Sequence, residues 1–206
     1  MSEELGKLEK PEAENFKKGR KLYFVPVFYG GKDVPADYAE KLKNYWEQVE
    51  QQILGLELKL GQISKIFHEY IPESGEDGLK VVKELNDKSY EVLKNRVEKG
   101  AQFEALEDRD LLTEFMDWGS CLAIGLQNQK VVTKVYEFYA EVAKKRNEYI
   151  IKHIDEMIKD DEVGMLLMRE GHQLQFPADV EVFYISPPAL DEINRWYRDR
   201  ESKTES

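Results

Sequence analysis

The sequence has a single cysteine, Cys121, and only three histidines among 206 residues. One thiol excludes an intramolecular disulfide and a multi-cysteine metal site, and the cytoplasm is the compartment that fits. No window approaches the roughly 18–20 consecutive apolar residues that a membrane-spanning helix needs. Basic stretches free of carboxylates are also missing. With 41 acidic against 30 basic side chains the formal charge is −11. Nucleic-acid affinity comes chiefly from neutralising phosphates, so a polyanion would be repelled and DNA or RNA binding is excluded as a primary role. Nucleophile-elbow, Walker and dinucleotide signatures are absent too; YGGKD at 29–33 lacks the spacing that cradles phosphate.

What is present is a strong apolar pattern. The length suits one domain, expected over residues 21–201 between a flexible charged arm at 1–20 and a tail at 202–206. The arm has no apolar core of the kind a secretory leader carries. KLYFVPVFY at 21–29 reads as a buried strand entering the Gly30-Gly31 turn, with Pro26 favouring an edge position or a bulge. From Pro35, Leu42, Trp46, Val49, Ile53, Leu56, Leu60, Ile63 and Phe67 recur at alternating spacings of four and three, the seam of one long helix. IPESGEDG at 71–78 ends that helix. A second follows to about Gly100, a third lies between Phe103 and Gly125, and a fourth runs from about Asn128 to Lys159. VGMLLM at 163–168 and VEVFYIS at 180–186 suit strands. Ser186 is expected to cap a final helix with Pro187 in its first turn. The expected fold is therefore α/β and mostly helical: a bundle of about four long helices packed with a small sheet of about three strands and a C-terminal helix. Only about ten residues separate the last two strands, which leaves their pairing open between parallel and antiparallel.

Few residues carry chemistry. His172 follows Gly171 at the end of the VGMLLM strand, where loops of open α/β sheets bind ligands, and its pKa near neutrality suits a general base or metal ligand. The alternative is an ordinary surface turn histidine. Arg146 falls in phase with the apolar face of the fourth helix; buried arginine needs a partner, either a ligand carboxylate or, as expected here, a structural salt bridge. Glu107, Asp110, Glu114 and Asp117 form an acidic stripe that could offer oxygens to a hard cation but reads as a solvated face. His68-Glu69 lacks the second histidine of a zinc-protease helix, since residue 72 is proline. His153 is expected to be structural or exposed, and Cys121 a core residue. No cofactor and no metal are expected.

The segment RNEYIIKHIDEMIKDDEVGMLLMREGHQ, an arginine-bearing helix leading into an apolar strand that ends in Gly-His, resembles the C-terminal element of the TraB, TIKI and erythromycin-esterase-like superfamily. That resemblance implies site roles for Arg146 and His172. The superfamily's Gly-Glu-x-His type motif after the first strand has no counterpart in VPVFYGGKD. Two functional readings follow. One is a cytoplasmic binding or interaction domain for a protein or small-molecule partner, with self-association through the long helix seams. The other is a hydrolase or metal-dependent enzyme built on His172, Arg146 and the Tyr29 to Gly31 turn.

Overall fold

The computed structural model describes residues 18–30 and 34–204, with side chains as far as residue 200. The expected arm at 1–20 lies almost wholly outside the described residues, as does Gly31. Chain order is β1 (Arg20–Pro26), α1 (Ala36–Leu60), β2 (Lys65–His68), α2 (Gly75–Leu85), α3 (Asp87–Val97), β3 (Gln102–Phe103), α4 (Arg109–Ala123), α5 (Gln129–Met157), β4 (Val163–Met168), β5 (Val180–Tyr184) and α6 (Pro188–Thr204). The α/β class is as expected; the counts are not. Among the described residues there are six helices and one five-stranded sheet, in the order β3-β2-β4-β1-β5 with every pairing parallel.

Nor do the helices form a bundle. Alternate residues of the inner strands face opposite ways, as strand geometry requires. Tyr23, Val25, Ile66, Met165 and Leu167 join a core with residues of α1, α2, α3 and α6. Leu22, Phe24, Phe67, Leu166 and Met168 join a second core with Ile150, Ile154 and Ile158 at the end of α5. A sheet covered on both faces explains why β1 and β4 read as continuous apolar runs.

The two missed strands have local causes. α1 stops at Leu60 because Gly61 adopts a φ of 126°, which an L side chain rarely tolerates. Ile63 and Phe67 therefore leave the helical seam, and KIFH forms β2. β3 is only two residues long. The expected second helix is broken at Asn86, whose side chain accepts from Ser89 N and so starts α3. Pro26 is not on an edge strand: β1 is interior, and proline is accommodated as its last residue. The open pairing of the C-terminal strands also resolves. β4 and β5 do not pair with each other; they flank β1, and residues 169–179 cross over it without a helix. α6 begins at Pro188 and runs to Thr204, past the expected domain end at residue 201.

Helix α2 is held close to β3 through Gly78. A Cβ there would lie 2.4 Å from the Glu73 carbonyl oxygen and 2.5 Å from Phe103 Cε1. Alanine usually stabilises a helix position relative to glycine by about 1 kcal/mol. Here the sign should reverse, because a backbone oxygen must move: Gly78→Ala is expected to cost about 1–3 kcal/mol. A urea midpoint at or above that of the wild type would contradict this account of the α2 packing.

Candidate functional site

The strand order places the ends of β2, β4 and β1 side by side, and each is followed by a polar or charged residue of one cluster. Tyr29 follows β1, Glu69 and Tyr70 follow β2, and Arg169 follows β4. Each is carried there by its strand's C-terminal end, the edge at which open α/β sheets bind ligands. Glu69 is 2% exposed. Its Oε1 accepts from the Tyr29 hydroxyl at 3.0 Å and from Arg169 Nε at 3.2 Å. Burial pushes the Glu69 pKa above the usual carboxylate range, while Arg169 and the Tyr29 hydrogen bond pull the other way. The Tyr29 phenol is likewise pushed up by burial and by the Glu69 charge. The Arg169 guanidinium carbon sits 5.5 Å from the Tyr29 ring centre and 4.9 Å from that of Tyr70, and Nη2 donates to the Tyr70 hydroxyl.

Tyr70 itself has a φ of 66°, a strained conformation for a bulky residue. Its backbone N–H donates to Glu107 Oε1 at 3.0 Å. Glu107 is buried and also takes Arg146: Nε donates to Oε2 at 2.8 Å and Nη2 to Oε1. Burial works against the arginine's charge, but the Glu107 carboxylate more than offsets it and leaves the guanidinium pKa raised. Arg146 is further held between the rings of Tyr70 and Phe115, at 5.2 and 4.8 Å. The acidic stripe is thus not one surface. Glu107 precedes α4 and turns inward, while Asp110, Glu114 and Asp117 are exposed on the helix. Among the described residues no group of three or more metal-ligating side chains converges.

His172 lies in the loop that crosses β1. Its ring packs 4.5 Å from that of Phe24, and Nδ1 accepts from Leu174 N at 3.2 Å, which assigns the proton of the neutral ring to Nε2. Partial burial lowers its pKa. Glu69, Tyr70, Arg146, Arg169 and His172 all line one cavity of about 660 Å³, walled on the α4–α5 side by Phe115, Tyr136 and Tyr139. That volume is in the range of small-molecule sites. Arg146 and His172, chosen from sequence, therefore share a cavity with a charged cluster that sequence reasoning missed. Arg169 stood three residues before His172, and Glu69 was weighed only as half of a zinc motif. For Glu69 the signal was the β-branched and aromatic run KIF directly before His68-Glu69, which marks a strand end; for Arg169 it was its place directly after VGMLLM.

Beside the cluster, His68 is fully buried. Nδ1 donates to the Glu69 carbonyl oxygen at 2.7 Å, and Nε2 has no hydrogen-bond partner among the described residues. Burial lowers its pKa from 6.5 to about 4. Between those values the unfolded chain binds a proton that the folded chain does not, so stability is lost as pH falls from 6.5 towards 4. The expected loss attributable to His68 is about 3 kcal/mol. Urea unfolding of wild type and His68→Gln at both pH values tests this: the variant should lack that increment, and parallel pH profiles would refute it. Cys121 is half-buried on α4 rather than in the core. His153 stacks on Tyr149 in α5, with ring centres 5.7 Å apart.

Comparison of the chain with protein-family models, with curated proteins and with solved structures gives no match, so the superfamily resemblance rests on residues 146–173 alone.

Proposed function

We propose that the protein is an enzyme acting by acid–base catalysis on a small, partly aromatic polar substrate held in the cavity at the C-terminal ends of β2 and β4. The observation that carries this reading is Glu69, a buried carboxylate lining an open cavity, with its pKa raised by burial and its geometry fixed by Tyr29 and Arg169. Carboxyl groups tuned upward by burial are suited to move protons near neutral pH. His172, neutral at pH 7 and on the same cavity wall, is the second proton-transferring group. Hydrolysis is the reaction class proposed, as one that an acid–base pair can serve; the superfamily resemblance bears on the pocket, since the Gly-Glu-x-His type motif has no counterpart in this chain. Arg146 acts through Glu107, which holds the backbone of Tyr70, and is a positioning residue.

A second reading, a binding domain without turnover, is favoured by one specific contact: Arg169 already compensates Glu69. The aromatic wall would serve either role. The seams of α1 give no support to an interaction domain, because Leu42, Trp46, Val49, Ile53 and Leu60 are buried within the protein's own core.

The test is a panel of small esters, amides and phosphoesters, assayed for turnover and for thermal stabilisation, on wild type, Glu69→Gln and His172→Ala. Turnover lost in both variants supports the enzyme. Stabilisation by a ligand without turnover in any protein supports the binding reading and removes the enzymatic one.

A further inference from the structure

Helices α4 and α5 form a hairpin that pairs through stacked rings, Phe115 with Tyr139 at 5.0 Å and Trp118 with Phe138 at 4.9 Å. The base of the hairpin is anchored: Leu112 on α4 and Val142, Arg146, Ile150 and Ile154 on α5 are buried. Between Leu112 and Val142 no residue is. Over that stretch each helix packs chiefly on the other, yet they carry large apolar side chains on more than the shared seam. Val131 and Phe138 are each 46% exposed. By helical spacing, Glu114, Trp118 and Cys121 lie on one face of α4, and Val131, Lys134, Phe138 and Lys145 lie on the corresponding face of α5. On this one side, then, an aromatic and aliphatic ridge runs between an α4 edge on which Asp110, Glu114 and Asp117 outnumber Arg109 and an α5 edge on which Lys134 and Lys145 outnumber Glu141. A shallow hollow of about 600 Å³ follows the α4 half, its lining including Arg109, Asp110, Glu114, Asp117, Trp118 and Cys121.

We propose that a second copy of the chain packs on this face, so that two hairpins form a four-helix bundle with α4 of each copy lying on α5 of the other. The distribution of charge selects both the partner and the arrangement. A two-fold axis parallel to the helices sets each acidic edge over a basic edge and makes every neighbouring pair antiparallel. The alternative axis, across the helices, sets acid on acid. Like-charge juxtaposition of that kind is costly at an interface, and an isologous contact needs a self-complementary surface, which this face is. Lys145 already senses Glu114 within one copy, though its raised pKa owes most to its hydrogen bond with Glu141 at 2.8 Å. The pairs Lys145–Glu141 and Lys134–Glu137 are exposed and within one helix, so redirecting the lysines costs little. Desolvating Phe138, Trp118 and Val131 supplies the driving force. This inference is independent of the enzymatic reading, because the cavity opens on the opposite side of the hairpin, past Tyr136 and Tyr139.

Sedimentation velocity of the full chain over a wide concentration range tests the proposal, with circular dichroism to establish that each variant folds. The wild type should reach a dimer. Phe138→Asp should be monomeric at the same concentrations. Glu114→Lys and Lys145→Glu should each raise the dimer Kd by about tenfold, and the chain carrying both changes should recover most of that loss. A wild type that stays monomeric throughout overturns the proposal and leaves the face to a different partner. Tighter association of Glu114→Lys overturns the arrangement, since it is what acid-on-acid packing requires.

Discussion

Arg146→Met is expected to destabilise the protein by about 3–5 kcal/mol, the cost of leaving a buried carboxylate without its counter-charge. The methionine replaces much of the apolar stem, so the loss reports the charge rather than a cavity. Glu107 would then hold only the Tyr70 N–H, with its carboxylate still buried. The double variant Arg146→Met, Glu107→Gln should recover most of the stability, because glutamine still accepts from Tyr70 N and carries no charge. Urea unfolding at pH 7 of the four members of this cycle checks the claim, and the two residues are close enough that a large coupling energy is expected. A loss below about 1 kcal/mol in the single variant would mean that Glu107 finds another partner or water. Arg146→Lys should not restore the wild-type value, because an ammonium cannot reproduce the two-point contact of Nε and Nη2.

The second large effect concerns chemistry. Glu69→Gln is expected to lower kcat by about 10²–10⁴-fold on any substrate the protein turns over, the range associated with a positioned acid or base. Folding should survive, since the amide oxygen can still accept from the Tyr29 hydroxyl and from Arg169, whose own side chain is largely exposed and stays solvated. Binding should survive for the same reason, so KM or ligand-induced thermal stabilisation changes far less than kcat. The pH profile gives a second handle: burial raises the Glu69 pKa, so the acidic limb of kcat/KM should lie above the ordinary carboxylate range and disappear in the variant. A Glu69→Gln protein with wild-type turnover would remove Glu69 from the mechanism and return the cluster to a structural role.

Much of the architecture was legible along the chain because it depends on neighbours in sequence. The apolar face of α5 recurs at helical spacing and the helix runs over nearly the expected residues; β4 was read at its full extent from a six-residue apolar run. β2 escaped because Ile63 and Phe67 continue the three-and-four spacing of α1 by coincidence. The positive φ at Gly61, which cuts the pattern, is a property of the folded backbone. The expected four-helix bundle failed for a related reason: periodicity shows that a helix has an apolar face, and says nothing of whether a helix or a sheet covers it. The site was legible in part. Arg146 stood out as a charge on an apolar stripe and His172 as a polar residue at a strand end. Glu69 and Arg169 also follow strand-like runs, but charged residues after strands are common in so acidic a chain, so position alone did not single them out.

The sequence by itself determined the α/β class, the spans of α5 and β4, and the need of Arg146 for a partner, because burial imposes periods of 3.6 and 2 that are written locally. Only the tertiary structure decided that the partner is Glu107, 39 residues away, and that Glu69 meets Arg169 across 100 residues. Those meetings follow from a strand order that sets β4 between β2 and β1, which is fixed by non-local packing on two faces of one sheet and leaves no periodic trace in the chain.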